Sequence, residues 1–93
     1  MSHLNPNDAR SEALFVSALQ PSDEPTAEHV RAAITSVVRR FGTRGCAARM
    51  AQEYGNAPEV AAERMRWARA VVADVFASRP TRRPVRTLVG AGR

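Results

Sequence analysis

The sequence has few of the residues on which metal-binding, disulfide-linked or membrane-spanning proteins depend. Its one cysteine, Cys46, cannot form an internal disulfide, and the neighbouring residues have no metal-ligand spacing, so no cofactor or metal site is predicted. The longest apolar run, AVVADVFA, is interrupted by Asp74 and is far shorter than the about 20 residues that span a bilayer. The opening MSHLNPNDAR has no apolar signal core. Together these features predict a cytoplasmic protein with no membrane contact.

Lysine is absent, because all fourteen basic residues are arginine, and isoleucine occurs once, at Ile34. This bias is typical of GC-rich coding and indicates a high-GC bacterium as the source. Aromatic residues make up only 5% of the chain, and the other apolar residues are mainly Ala, Val and Leu. A chain of 93 residues forms one small domain, and such side chains predict a thin core that a partner or a second copy helps to complete.

The net charge of +5 is unevenly distributed along the chain. All nine acidic residues precede residue 79, where they balance nine arginines, so residues 1–78 are neutral overall. The remaining five arginines lie in residues 79–93, which we interpret as a disordered, Arg- and Pro-rich basic tail. Residues 1–8 are polar and contain a proline, and we expect them to be disordered as well.

Apolar residues at helical spacing predict an all-α domain over residues 9–78. A short N-terminal helix over 9–20 stops at Pro21, although an extended arm is an alternative for this segment. The next helix begins after Thr26, a good N-cap, and ends at Gly42, which suits the left-handed position after a helix. Two further helices follow, so the fold class is a small bundle of three main helices plus the short N-terminal one.

The last two helices are predicted to form a helix-turn-helix-like pair. The first covers roughly 46–54, with Ala51 facing inward and Gly55 as its terminator. The second begins with Asn56 as N-cap and Pro58 in the first turn, and it continues to about Ala77. The small residue Ala51 and the glycine four positions later have the spacing of a DNA-binding helix-turn-helix.

The segment MAQEYGNAPEVAAERMRWAR resembles part of bacterial sigma-factor C-terminal domains and response-regulator output domains. The matching positions are Met50, Ala51, Gly55, Pro58, Glu59, Arg64, Met65, Arg66, Ala68 and Arg69. Two positions depart from the family pattern, because Asn56 and Ala61 stand where buried aliphatic residues are usual. The resemblance implies that Ala57, Glu59, Ala62, Glu63 and Arg66 face a DNA groove. Residues 11–76 also resemble small helical proteins of high-GC bacteria, which implies no mechanism.

Two functions remain open. One is a small non-enzymatic regulatory module that binds nucleic acid weakly, mostly through its basic tail; two acids on the groove face weaken the case for a DNA-reading helix. The other is a domain for protein interaction or homo-oligomerisation, including a homodimer through Val71, Val75 and Phe76, with no DNA binding. We predict no enzyme, because Cys46 and His29 form a catalytic pair only if the fold brings them together. The candidate residues for nucleic-acid or partner binding are Arg64, Arg66, Trp67, Arg69, Arg79, Arg82, Arg83 and Arg86.

Overall fold

Residues 5–77 fold into three main helices around one small core. The computed structural model describes residues 5–77, in which α1 spans Pro6–Val16, α2 spans Ala27–Asn56 and α3 spans Pro58–Val75. A 3-10 turn, Pro21–Asp23, connects α1 to α2. Helices account for 85% of the described residues and no strand occurs among them, which confirms the predicted all-α bundle. None of these helices is both long and apolar enough to cross a bilayer.

The N-terminal segment is a helix rather than an extended arm. The side chain of Asn5 accepts a hydrogen bond from the Asn7 N–H at 2.8 Å, and Pro6 occupies the first helical position, where its missing N–H costs nothing. The helix therefore begins three residues before Ala9, where apolar spacing alone placed its start, and Pro6, Asn7 and Asp8 are helical instead of disordered as predicted. It ends at Val16, after which the backbone becomes extended.

The second helix contains a kink at Gly42. Thr26 is its N-cap, as predicted, and accepts from the His29 N–H at 3.1 Å. Gly42 has φ 73° and ψ 169°, a conformation that is essentially restricted to glycine. The helix resumes directly beyond it, so the predicted separate helix over 46–54 is the second half of α2.

Gly45, just beyond the kink, allows the backbone to approach the side chain of Phe41 closely. A Cβ atom at Gly45 would lie 2.9 Å from the Cβ of Phe41, which is closer than real side chains approach. The two glycines therefore have different roles. Gly42 adopts the positive φ of the kink, whereas the missing Cβ at Gly45 avoids a clash with Phe41.

The junction between α2 and α3 differs from the prediction. Gly55 does not terminate the helix and Asn56 does not cap the next one, because α2 continues through both. Ala57 alone separates the helices, with φ −148° and ψ 76°, and no side chain caps α3. A single non-helical residue makes the break, so a left-handed glycine is not needed. Ala51, which we expected to face inward, is exposed.

The core is built from all three helices and consists mostly of small aliphatic side chains, as the composition predicts. Phe15 from α1 stacks on Tyr54 from α2, with ring centroids 6.1 Å apart. Val71, Val75 and Phe76, which we considered for a homodimer contact, are partly buried and pack against this core. The buried hydrophobic residues are Ala13, Leu14, Phe15, Val30, Ile34, Cys46, Ala61, Met65, Ala68 and Val72.

We expect Gly42→Ala to lower the free energy of unfolding by about 1–3 kcal/mol, because alanine is strained at this φ and ψ. Gly55→Ala is the matched control within the same helix, since a Cβ there meets nothing within 4 Å. It should raise stability by up to about 1 kcal/mol through helix propensity. Urea unfolding followed by circular dichroism measures both. Equal effects of the two variants would contradict the assigned role of Gly42.

Candidate binding surfaces

The side chain of Arg64 points into the domain. Its Nε donates to the Phe15 carbonyl at 2.8 Å. Its Nη2 donates to the Ser17 and Leu19 carbonyls at 2.9 and 2.8 Å, with a longer 3.4 Å contact to the Leu14 carbonyl. The last carbonyls of a helix have no partner within it. Arg64 therefore joins α3 to the C-terminal end of α1 and to the segment that follows.

A planar guanidinium suits this position. It presents several N–H donors in a fixed fork and keeps its positive charge, which also favours the negative end of a helix dipole. The guanidinium carbon lies 5.0 Å from the centre of the Trp67 ring and 5.9 Å from that of Phe15. Burial lowers the pKa of Arg64. Sequence analysis missed this structural role, because no local pattern connects residue 64 with residues 14–19.

The other predicted site residues of α3 lie in different environments. Trp67 is partly buried and packs against the core. Arg66 and Arg69 are exposed. Arg69 lines a hollow that also contains Asp8 and Glu12. Burial and the charge of Asp8 raise the pKa of Glu12, whereas Arg69 opposes them. Arg79, Arg82, Arg83 and Arg86 lie outside the described residues.

α2 carries a basic surface that the neutral net charge of residues 1–78 conceals. Between His29 and Gln52 the sequence has five arginines and no acidic residue. In the first half of α2, exposed side chains of this stretch line an open hollow of about 650 Å³, with Glu28 at the N-terminal end. We call this surface the arginine face, and it consists of Arg31, Thr35, Ser36, Arg39 and Arg40.

Arg31 has a structural contact besides its place on this face. Its Nη2 donates to the Val75 carbonyl at 3.2 Å, at the C-terminal end of α3. Its guanidinium carbon also lies 5.6 Å from the centre of the Phe76 ring, and that of Arg10 lies 4.2 Å from the same ring. Two arginines thus hold the end of α3 against the first half of α2 and against α1.

Cys46 has the environment of a core residue. It is 1% exposed, and burial raises the pKa of its thiol, the opposite of what a nucleophilic thiolate requires. His29 is exposed in the first turn of α2, on the other side of the kink. Within residues 5–77, no group of three or more His, Cys, Asp or Glu side chains is placed to hold a metal ion.

We expect Arg64→Gln to lower the free energy of unfolding by at least about 2 kcal/mol. Hydrogen bonds from a charged group contribute about 1.5–3 kcal/mol each, and the substitution leaves partly buried carbonyls without donors. Arg64→Lys should fall between wild type and Arg64→Gln, because an ammonium keeps the charge but cannot reproduce the fork.

Arg66→Gln, two residues away and exposed, is the control for this prediction and should change stability by no more than about 0.5 kcal/mol. Urea unfolding measures all three variants. Hydrogen exchange of the α1 amides adds a local readout, since exchange there should accelerate in Arg64→Gln alone. A loss of the same size in Arg66→Gln would mean that general charge, rather than the α1 contact, is responsible.

Comparison with known proteins gives no match: no family model, no curated protein and no solved structure is significantly similar to this chain. Two surfaces of the domain differ in chemistry. The arginine face of α2 is basic and polar, whereas the exposed side of α3 carries both Glu63 and Arg66.

Proposed function

We propose that this protein is a small, non-enzymatic regulatory module that binds nucleic acid weakly through the arginine face of α2, assisted by its basic tail. The observation that carries the proposal is that Arg31, Arg39 and Arg40 line one open hollow on α2, with Glu28 as the one acidic residue of its lining. Neutralising phosphates with cations supplies most of the affinity in binding that does not depend on sequence.

The arginine face has the chemistry of a phosphate-binding surface. Arg31 and Arg39 are eight residues apart, which corresponds to about 12 Å along a helix. That distance spans three to four base steps of B-DNA at about 3.4 Å per step, so the two side chains would reach separate phosphates. The residues between them include Thr35 and Ser36, whose hydroxyl groups are also common phosphate ligands.

This proposal differs from the sequence-based one in the helix that it uses. The helix-turn-helix resemblance implies that α3 enters a DNA groove, but Glu59 and Glu63 are exposed on that side of α3. Two carboxylates facing a phosphate backbone oppose binding. The first half of α2 has Glu28 alone beside its arginines. We therefore propose α2, rather than α3, as the helix that contacts nucleic acid.

The tail is proposed to add affinity without adding sequence preference. Five arginines lie within residues 79–93, with no acidic residue among them. Its arginines would neutralise further phosphates, and their contribution to the salt dependence would add to that of the arginine face.

A second candidate is a protein-interaction domain that does not bind nucleic acid. The observation that favours it is the exposed side chain of Val60, which lies between Glu59 and the core residue Ala61 at the start of α3. An exposed apolar residue beside carboxylates suits a protein partner better than a phosphate backbone.

The test is fluorescence anisotropy with a generic DNA duplex at two salt concentrations. We expect Arg39→Gln with Arg40→Gln to weaken binding and to reduce the slope of log K against log salt by roughly two, at about 0.9 per phosphate contact. Deletion of residues 79–93 should reduce the slope independently. Circular dichroism should show that the double variant keeps its fold, because both arginines are exposed.

The matched control removes the same charge from α3, with Arg66→Gln and Arg69→Gln. It should leave more affinity than the α2 variant does. Equal losses in the two double variants would show that only net charge matters and that the arginine face is not the site. No binding by the full chain at low salt would exclude nucleic acid, and the protein-interaction domain would then be the candidate to test.

A further inference from the structure

A small, half-enclosed hollow lies where the end of α1 meets the second half of α2 and the first turns of α3. Its volume is about 220 Å³, which is space for roughly seven water molecules at about 30 Å³ each. The three helices contribute different chemistry to it. Phe15 and Val16 of α1 are apolar, whereas α2 contributes only charged or polar side chains, and α3 contributes both Val60 and Arg64. A site of this size and composition suits a small polar molecule with an apolar part.

The guanidinium of Arg64 makes no hydrogen bond with a carboxylate in residues 5–77. Its Nε and Nη2 donate to backbone carbonyls of residues 14–19, which carry no net charge, and no hydrogen bond among the described residues involves its Nη1. Burial lowers the pKa of Arg64, and no neighbouring carboxylate offsets this effect. Because buried charges are normally paired, an anion in the hollow that Arg64 lines would be stabilised there.

The second half of α2 places opposite charges in the same hollow. Arg49 and Glu53 are one helical turn apart, a spacing that gives about 5–6 Å between Cβ atoms, and Gln52 lies between them in sequence. All three side chains are exposed, and none takes part in a side-chain hydrogen bond within residues 5–77. The guanidinium carbon of Arg49 lies 3.9 Å from the centre of the Phe41 ring, which holds this cation beside the hollow. A cation and a carboxylate with this spacing can bind the two head groups of a zwitterion.

We propose that this hollow binds a small aliphatic α-amino acid. Its carboxylate accepts hydrogen bonds from Arg49 and Arg64, because a guanidinium matches a carboxylate in both charge and geometry. Its ammonium group donates to Glu53, and its aliphatic side chain packs against Phe15 and Val60. A zwitterion uses both signs of charge that the hollow contains. A simple anion leaves Glu53 without a partner, and a simple cation is repelled by the two arginines.

The proposed ligand site is separate from the proposed nucleic-acid surface. No lining residue of the hollow belongs to the arginine face. Ligand binding and DNA binding are therefore measured independently, and each proposal is judged by its own test. Because Arg64 also fixes the end of α1, a bound amino acid should raise the midpoint of thermal unfolding as the ligand concentration increases.

Heteronuclear NMR of the full chain, titrated with leucine, tests the site. Backbone amides around Gln52 and Val60 and the Nε–H of Arg64 should shift in a saturable way. The Kd should be roughly 0.1–1 mM, because a small and half-open site makes few contacts. Shifts that do not saturate at about ten times this range, or shifts confined to the arginine face, would overturn the proposal.

Analogues of leucine test which head groups are bound. Isocaproate lacks the amino group and should bind about two- to fivefold more weakly, as expected for the loss of an exposed ion pair. Isopentylamine lacks the carboxylate and should bind at least about tenfold more weakly, because it loses charged hydrogen bonds to the guanidinium groups. Isocaproate binding as tightly as leucine would overturn the assignment to an amino acid, and so would isopentylamine binding as tightly as leucine.

Two substitutions on α2 separate the roles of the charges without changing Arg64. Arg49→Gln should weaken leucine and isocaproate equally, by at least about fivefold, because both ligands lose a charged hydrogen bond. Glu53→Gln should weaken leucine alone and thereby remove the difference between the two ligands. Both side chains are exposed, so circular dichroism should show an unchanged fold. A Glu53→Gln protein that still prefers leucine would contradict the assigned ammonium contact.

Matched controls make the same charge changes outside the hollow. Arg44→Gln and Glu63→Gln alter exposed residues that do not line it. We expect both controls to bind leucine like wild type. Losses equal to those of Arg49→Gln and Glu53→Gln would show that net charge alone governs binding, and they would overturn the site.

Discussion

The fold depends on the contact between the guanidinium of Arg64 and the carbonyls at the end of α1. A helix of 11 residues is marginal on its own, so α1 must gain its stability from packing. It contributes Leu14 and Phe15 to the core, which places its C-terminal carbonyls beside α3. These carbonyls need donors, and the guanidinium supplies several from one side chain. Arg64 therefore fixes the C-terminal end of α1 on α3, in addition to the packing of their core side chains and the contact of Arg10 with Phe76.

The kink at Gly42 lets both halves of α2 pack against the same core. Val30 and Ile34 from the first half of α2, and Cys46 from the second half, belong to the same buried cluster. A straight helix of 30 residues would extend about 45 Å, far beyond so small a core. The kink also separates the surfaces of α2, because the arginine face lies before Gly42 and Glu53 lies well after it. The backbone conformation of Gly42 therefore keeps the arginine face and Glu53 on separate parts of α2.

Several features of the fold followed from local chemistry alone. The all-α class, the cap at Thr26, the positive φ of Gly42 and the first-turn position of Pro58 were predicted correctly, since each depends on a few neighbouring residues. The helix break near Gly55 was wrong in detail. Glycine and asparagine are typical of helix ends, but Ala57 makes the break here. Ala57 itself is not a residue type that signals a helix end, and no side chain caps α3.

The sequence by itself determined the helical class, the small aliphatic core and the separation of a neutral domain from a basic tail, because composition and periodicity act locally. Tertiary structure alone decided what each arginine does. Arg64 and Arg39 are alike in sequence context, each beside a second charged residue on an amphipathic helix. One is turned inward onto carbonyls and the other outward to solvent, because only the packing of α1 against α3 brings unpartnered acceptors within reach of residue 64.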